Sequence, residues 1–485
     1  MSSKLTLLGA VAVVAIASTY TAPARADVGT NPVYGAGSTL VDNVYRSLFN
    51  CVGENGTGSA TTGVLGTQTC APGTEVAPVA GTIMEILYAG IGSGSGQNDY
   101  LTNTTTFGST PSNTGKYQDT AAGFTYPYAK FTFGAGDVPM TATQLAQTTI
   151  SGHAVVVGSG LAAGPAIQVP TLITSVTVPI HASTLDGLAG LAIPTDAQGT
   201  AGSSGLVLTR DQLCGIFNGD IADWSDSRLT QSNGKTPSSA AKGIIVVYRH
   251  DSSGTTGLMS NALVTQCAAS AHPMNTAWGS PGTSYFLNAT PKPATWKDEN
   301  TGLGFSNGSE GMADAVAATD GAVGYVSPDF AQPFGVSPHT PSPTANIVNK
   351  SGTTVPPTPY SAGLIMASAP SATSADSAAT WGTKGVNADP TGLNSYDIGG
   401  FTWIYLYTCY ASDQDFLDVV SGSQPGTWGW YYGGTAQADV TAILNANGFA
   451  RLPNSWLRNV RDLLFSNAST KIRFGASAGV CTGGV

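Results

Sequence analysis

The segment Arg249-His250-Asp251-Ser252-Ser253-Gly254-Thr255-Thr256 gathers a guanidinium, a carboxylate and several hydroxyls into one short turn. It stands between an apolar run, residues 243–248, that reads as a strand and a helical pattern beginning at Leu258. A helix N-terminus therefore joins the group, with unpaired N–H donors and the positive end of a dipole. An arginine fork offers two parallel hydrogen bonds to a tetrahedral oxyanion, and a neighbouring aspartate can hold the fork in place. Anion capture is the chemistry these residue types can do. The plainer alternative is a surface ion pair between Arg249 and Asp251, worth under about 1 kcal/mol.

Three other turns offer related chemistry. Gly35-Ala36-Gly37-Ser38-Thr39 precedes Leu40, Val41, Val44, Tyr45, Leu48 and Phe49, which share one face of a helix. Thr39 occupies the N-cap position with Asp42 three residues on, the pattern of a capping box. The glycines before it would let a small anion approach the helix N-terminus, although an ordinary capped helix explains the same pattern. Tyr88-Ala89-Gly90-Ile91-Gly92-Ser93-Gly94-Ser95-Gly96 is a glycine-rich turn after an apolar run, with neither the Lys-Ser/Thr of a P-loop nor the Rossmann spacing. Asp137, in Phe133-Gly134-Ala135-Gly136-Asp137, places a carboxylate where an anion would be unwelcome unless the anion brings a proton. Phosphate at neutral pH keeps an O–H that an ionised aspartate accepts. Sulfate keeps none, and burying two facing oxyanions is costly. Asp137 is read as a check for that proton, against the plainer role of an Asx turn ahead of Pro139.

Rigid elements must bring these turns together. Residues 83–91, 175–180, 243–249, 322–326 and 401–407 read as strands, and residues 40–49, 258–267, 310–318 and 456–465 as helices. The alternation predicts an α/β protein with largely parallel sheets. Residues 51–80 and 97–118 read as long surface loops, residues 338–370 as loop-like, and the segment from there to about Asn394 as a Ser/Ala/Thr-rich stretch. At 485 residues two lobes are expected, and no internal repeat is visible. Apolar residues at 41% can build a core, while charged residues at only 10% argue against charge-driven disorder.

The first 26 residues read as an export signal: Lys4, an apolar run over residues 5–17, then Ala24-Arg25-Ala26 as the cleavage site. An apolar run of that length falls short of the roughly 20 residues a bilayer demands, so no membrane insertion is expected. With Lys4 and Arg25 removed, the net charge moves from −10 to −12, the wrong sign for a nucleic-acid partner. An anion site must overcome that field locally. Cys51, Cys70, Cys214, Cys267, Cys409 and Cys481 form an even set in an exported chain, which favours disulfides over zinc. Six cysteines allow 15 pairings, of which nearest-neighbour pairing selects Cys51–Cys70, Cys214–Cys267 and Cys409–Cys481.

In family order along nearly the whole chain after the signal, these motifs resemble the phosphate-binding proteins that serve bacterial ABC importers. Residues 35–40 resemble their G-A-G-A-T-F turn, 88–93 their Y-x-G-I-G-S, 133–139 their F-G-A-S-D-x-P, and 249–255 their R-x-D-x-S-G-T. Residues 213–221 with Trp224 match L-x-x-I-F-x-G-x-I-x-x-W, and Gly311 with residues 321–326 match E-G…G-x-I-G-Y-V. A closer likeness is to the DING proteins, carried by Leu213-Cys214-Gly215, residues 247–256, Cys409-Tyr410-Ala411 and the ending from Leu452 to Cys481. The amino end Asp27-Val28-Gly29-Thr30 departs from the Asp-Ile-Asn-Gly of that group, and Leu40 replaces the importer family's Phe. The resemblance implies a two-lobe Venus-flytrap fold, the type II periplasmic binding protein architecture, with mixed sheets and a hinge. One lobe would hold residues 27–180 and 396–485 and the other residues 181–395. It also implies the bridges Cys214–Cys267 and Cys409–Cys481. Phosphate would be held by Thr39, Leu40 (backbone), Ser93, Asp137, Arg249, Asp251, Ser253, Gly254 and Thr255.

The resulting expectation is a monomeric periplasmic or secreted protein that binds inorganic phosphate without a cofactor and hands it to importer membrane subunits. A DING-like phosphatase or phosphoesterase is the alternative from another class. Support for it in the residues is thin: His153, His181, His250, His272 and His339 show no metal-ligand spacing. Gly475-Ala476-Ser477-Ala478-Gly479 fits a nucleophile elbow, yet no histidine follows it. His250 as a base is weaker than His250 as a solvent-facing loop residue. A surface interaction protein using the long polar loops is the third class.

Overall fold

A computed structural model describes residues 33–49, 86–102, 132–145, 166–274, 292–335, 339–407, 409–410, 431–432, 437–466 and 473–474. The N-terminal apolar runs form β1 (Val33–Gly37), β2 (Ile86–Gly90) and β3 (Phe133–Gly136), followed respectively by α1 (Asp42–Phe49), α2 (Ser93–Thr102) and α3 (Ala142–Leu145). β4 (Ala166–Ser175) comes next. The middle of the chain supplies β5 (Val207–Thr209), α4 (Arg210–Asn218), β6 (Ile245–Tyr248), α5 (Gly254–Gln266), β7 (Trp296–Asp298), α6 (Gly308–Ala318) and β8 (Ala322–Val323). β9 (Asn346–Val348), β10 (Thr354–Val355), α7 (Pro359–Gly363) and α8 (Ala378–Lys384) follow. β11 (Gly399–Tyr407), β12 (Cys409–Tyr410), α9 (Gln437–Ala446), β13 (Ala450–Arg451), α10 (Asn454–Arg461) and β14 (Arg473–Phe474) complete the described elements.

A six-stranded sheet runs in the order β13-β4-β11-β3-β1-β2. β1 pairs in parallel with β2 on one side and β3 on the other. The chain thus moves outward from β1 in both directions, and such a switch point brings the C-terminal ends of neighbouring strands around one crevice. β11 runs antiparallel to β3 and β4, and β13 antiparallel to β4, so this sheet is mixed. The antiparallel strands arrive when the chain returns from the middle segment, a long-range event that alternating strands and helices do not encode. A second, parallel sheet β7-β6-β8 and a third, β10-β9-β5, belong to the middle segment. Sheet order and connectivity are those of a two-lobe α/β molecule.

Residues 176–180 carry the chain from β4 to the middle segment through isolated bridges, Thr177 to Val326, Pro179 to Thr344 and Ile180 to Val323. The expected strand over 175–180 is therefore a crossing, and the regular strand lies just upstream. The return crossing lies beside it, where the Val176 N–H donates to the Ile398 carbonyl at 2.8 Å.

Packing explains the helices that the residue pattern anticipates. Tyr45 and Phe49 on α1 meet Tyr88 and Phe133 on the sheet, with ring centroids 5.3 Å apart for Tyr45–Tyr88 and 6.1 Å for Phe49–Phe133. A second aromatic group, Trp381, Phe401, Trp403 and Trp456, joins α8, β11 and α10. Helix α2 overlaps the segment 97–118 expected as a loop. Gly94, Gly96 and Asn98 lower its propensity, but Gly96 lets the helix lie against β1, where an added Cβ would come within 2.3 Å of the Gly37 Cα. Within 338–394, expected as irregular, β9, β10, α7 and α8 are too short to show a period. α7 is set by a local capping box between Thr358 and Ser361.

Residues 1–26, the loop 51–80 and the motif at 475–479 lie outside the described residues. So do Cys51, Cys70 and Cys481. Cys214 and Cys267, both buried, form a disulfide that ties α4 to the end of α5. With a sequence separation of 53, that link removes chain entropy worth about 4 kcal/mol from the unfolded state. Replacing both cysteines by serine should lower unfolding free energy by about 2 to 4 kcal/mol in a urea titration. An unchanged midpoint and slope would exclude the bridge from any stabilising role.

Candidate functional site

Both sheets present their strand ends to one crevice. From the first come the turn after β1 with Ser38, Thr39 and Leu40, the start of α2 with Ser93, and Asp137 after β3. From the second come Arg249 after β6, Glu299 after β7 and Tyr325 after β8. Ser38, Thr39, Leu40, Ser93, Asp137, Arg249, Ser253 and Thr255 are all buried.

The guanidinium of Arg249, 1% exposed, is held from behind by Asp251: Nε donates to Oδ1 at 2.6 Å and Nη2 to Oδ2 at 2.5 Å. Its other edge meets both lobes, with Nη2 donating to the Thr39 hydroxyl of the first at 3.1 Å and Nη1 to the Ser309 hydroxyl of its own at 3.4 Å. The Arg249 N–H donates to the Tyr325 hydroxyl at 3.0 Å, which fixes the turn. Asp251 beside Arg249 keeps the guanidinium charged despite burial.

Thr39 does not cap α1. Its hydroxyl accepts from the Ser309 N–H at 3.2 Å and pairs with the Ser309 hydroxyl at 3.0 Å. Ser38 instead closes the turn ahead of α1, its hydroxyl accepting from the Leu40 N–H at 3.0 Å. The reason is the proximity of α6, whose first turn lies against Thr39. Nothing in the local spacing at residues 39–42 reports that neighbour.

Asp137 receives three hydroxyls: Ser38 at 2.6 Å and Ser93 at 3.1 Å on Oδ2, and Thr402 at 2.9 Å on Oδ1. Burial pushes its carboxyl up to about 6, against the pull of these hydroxyls and of Arg249. α5 enters from the opposite side. Ser253 caps it, its hydroxyl accepting from the Thr256 N–H at 3.3 Å, and Gly254 opens its first turn. A Cβ on Gly254 would fall 2.3 Å from the Ser93 Oγ and 2.6 Å from the Asp137 Oδ2, so only glycine admits this approach. The Thr255 hydroxyl oxygen is buried without a hydrogen-bond partner among the described residues.

The glycines at 92 and 94 serve the same closure. Gly92 has φ +89°, and a Cβ there would stand 2.8 Å from the Asp251 Oδ2; one on Gly94 would stand 2.0 Å from the Ser252 Oγ. The Gly94 N–H donates to the Ser252 carbonyl at 3.1 Å. The structure thus gathers Thr39, Leu40, Ser93, Asp137, Arg249, Asp251, Ser253, Gly254 and Thr255 where the two lobes meet. Residue patterns overlooked Ser38, Ser309, Tyr325, Thr402 and Glu299, which reach it from five separate segments. Ser38, beside Thr39 in a turn already singled out, carried the one local signal.

His250 points elsewhere: its Nδ1 lies 3.5 Å from the Asp298 Oδ1 and its side chain is 40% exposed. Among the described residues no group of three or more His, Cys, Asp or Glu could hold a metal, and no helix is long and apolar enough to cross a membrane.

Two α/β lobes that meet at a buried, carboxylate-braced arginine have the architecture of a ligand-capturing binding protein. A family model described as a PBP superfamily domain matches residues 19–422, and the chain belongs to that superfamily. Alkaline phosphatase L of Pseudomonas aeruginosa (strain UCBPP-PA14) is 28% identical over 414 residues, covering 82% of this chain and 86% of that protein. A phosphate-binding protein from an unknown prokaryotic organism is 28% identical over 414 residues, covering 82% and 92%. Among solved structures, a high-affinity periplasmic phosphate-binding protein (PfluDING) bound with phosphate aligns with TM-score 0.60 and 24% identity, over 94% of this chain and 99% of that one. A phosphate-binding protein from Stenotrophomonas maltophilia aligns with TM-score 0.59 and 22% identity, over 94% and 99%. The likeness within the superfamily is to DING-type phosphate-binding proteins.

Asp137 gives the site a pH signature. Its carboxyl stands at about 6 in the fold against 3.8 ordinarily, so the native state binds the proton more tightly than the unfolded chain. Stability from this group is present at low pH and is lost as pH rises from the ordinary value through about 6. Without ligand, Asp137→Asn should be more stable than the parent by roughly 1 to 3 kcal/mol above neutrality, the gap closing at acidic pH. Urea titrations at both extremes check this, and a gap independent of pH contradicts it.

Proposed function

We propose that this chain binds inorganic phosphate, stripped of water, in the crevice between its lobes. The observation that carries the reading is the convergence of a buried, carboxylate-braced Arg249 and a buried Asp137, near enough to feel its charge, where the lobes meet. Arg249 neutralises the anion. The N–H groups opening α5, with the Ser93 and Thr255 hydroxyls and the backbone at Thr39 and Leu40, replace its hydration. Asp137 accepts the proton that phosphate keeps and sulfate lacks. The unpartnered Thr255 oxygen supports a polar ligand at the start of α5.

In this proposal residues 27–180 with 396–485 form one lobe and residues 181–395 the other, hinged where residues 176–180 and 395–398 run side by side. Closure follows from the ligand's preference for the form in which Arg249 and Asp137 face each other. The chain works outside the cytoplasm, periplasmic or secreted. The Cys214–Cys267 bridge fits an oxidising compartment, and delivery to importer membrane subunits fits the relatives named for phosphate binding.

Relatives named alkaline phosphatase L make ester hydrolysis the second reading. Phosphate binding and phosphate-ester turnover measured on one preparation separate the two, binding without turnover being expected. Arg249→Ala should weaken phosphate binding by about 2 to 5 kcal/mol, and unchanged affinity by calorimetry would discard the site. Asp137→Asn should narrow the preference for phosphate over sulfate. Undiminished exclusion of sulfate in a competition assay would remove the proton-reading role.

A further inference from the structure

Behind the arginine lies a second carboxylate that neither the residue patterns nor the proposed ligand set includes. Glu299 follows β7 directly and is fully buried. Its Oε2 accepts from the His250 N–H at 2.6 Å, and its own N–H donates to the Tyr248 carbonyl at 3.2 Å, so the side chain is anchored to the Arg249 turn on both sides. Its Oε1 stands 3.7 Å from the Arg249 Nε, an ion-pair distance but beyond a hydrogen bond, and accepts no hydrogen bond among the described residues. Asp251 already takes the Nε and Nη2 hydrogens. One guanidinium therefore faces two carboxylates on the side away from Thr39 and Ser309.

We propose that Glu299 is a positioning residue whose protonation state governs how fully Arg249 is available to the bound anion. The inference rests on the phosphate reading of the crevice. With Glu299 neutral, Arg249 carries one ion pair, to Asp251, and its remaining charge faces the cleft. With Glu299 ionised, a second buried negative charge competes for the same guanidinium and repels the anion beyond it. The groups that face Glu299 are Arg249 and Asp251 on its own side of the cleft, Tyr325 after β8, and Tyr248, His250 and Asp298 around the turn. Arg249 is the cation among them that lies within ion-pair distance. Burial nevertheless outweighs Arg249 and, with Asp251 adding to it, pushes the carboxyl up to about 8, inside the range a binding experiment can reach.

By linkage, anion binding beside a carboxylate must favour its protonated form, so phosphate binding at alkaline pH takes up a proton at Glu299. The test is calorimetric titration of the full chain with inorganic phosphate from about pH 6.5 to 9.5, for the parent and for Glu299→Gln. Comparing the two cancels the titration of phosphate itself and of shared groups. The parent should lose affinity relative to the glutamine variant by about tenfold or more across that range. In buffers of differing ionisation heat at alkaline pH, the parent should take up a proton that the variant does not. The buffer measurement on the parent alone still tests the idea if the variant fails to fold, because an absence of proton uptake overturns it. Parallel affinity profiles overturn the role of Glu299 and leave the phosphate site standing. A parent that binds no phosphate at any pH overturns the site itself, and this role with it.

Discussion

The structure depends on keeping a guanidinium charged where water cannot reach it. Arg249 is enclosed at the meeting of two lobes, and removing such an ion from water costs several kcal/mol unless neighbours restore what hydration supplied. Asp251 restores most of it with two short hydrogen bonds. The arrangement also explains why the hydroxyls of Thr39 and Ser309 face the same guanidinium edge from different lobes. They are neutral, so they satisfy N–H donors without cancelling the charge, which leaves the field directed at the cleft.

Asp137 is the counterweight. Three hydroxyl donors from separate strands and turns converge on it, yet burial still leaves it less acidic than an exposed aspartate. Such a group destabilises the fold near neutrality, and its presence makes sense only if it does something for a ligand. A carboxylate facing an anion repels every candidate except one that brings its own hydrogen. The destabilisation and the discrimination thus have one origin, the low polarisability of the site, and a more solvated aspartate would give up both.

How much of this the residues disclosed depended on how local each cause is. Arg249, Asp251, Ser253 and Gly254 lie within one turn, and strand, turn and helix cap all leave marks at that range. α1 is similarly legible, because Tyr45 and Phe49 repeat on the face that meets Tyr88 and Phe133. The Thr39 hydroxyl looks locally like a helix cap, whereas its decisive partner, Ser309, is 270 residues away. Glu299 and Thr402 gave no signal for the same reason. Their neighbours are set by sheet order, and sheet order followed from the antiparallel return of β11, which a pattern of alternating strands and helices does not specify.

The glycines show how closure and recognition are joined. A Cβ at Gly92 would press on the Asp251 carboxylate, one at Gly94 on Ser252, and one at Gly254 on Ser93 and Asp137. Each contact runs between the turns of the first sheet and the 251–254 loop of the second, so the missing side chains define the surface along which the lobes meet. Backbone can then come close enough for the first turn of α5 to stand over Asp137. The arginine is fixed to that same loop through Asp251. Gly254 stands at Asp137 and Arg249 at Thr39 in one and the same geometry, and that geometry is also the one that buries the guanidinium.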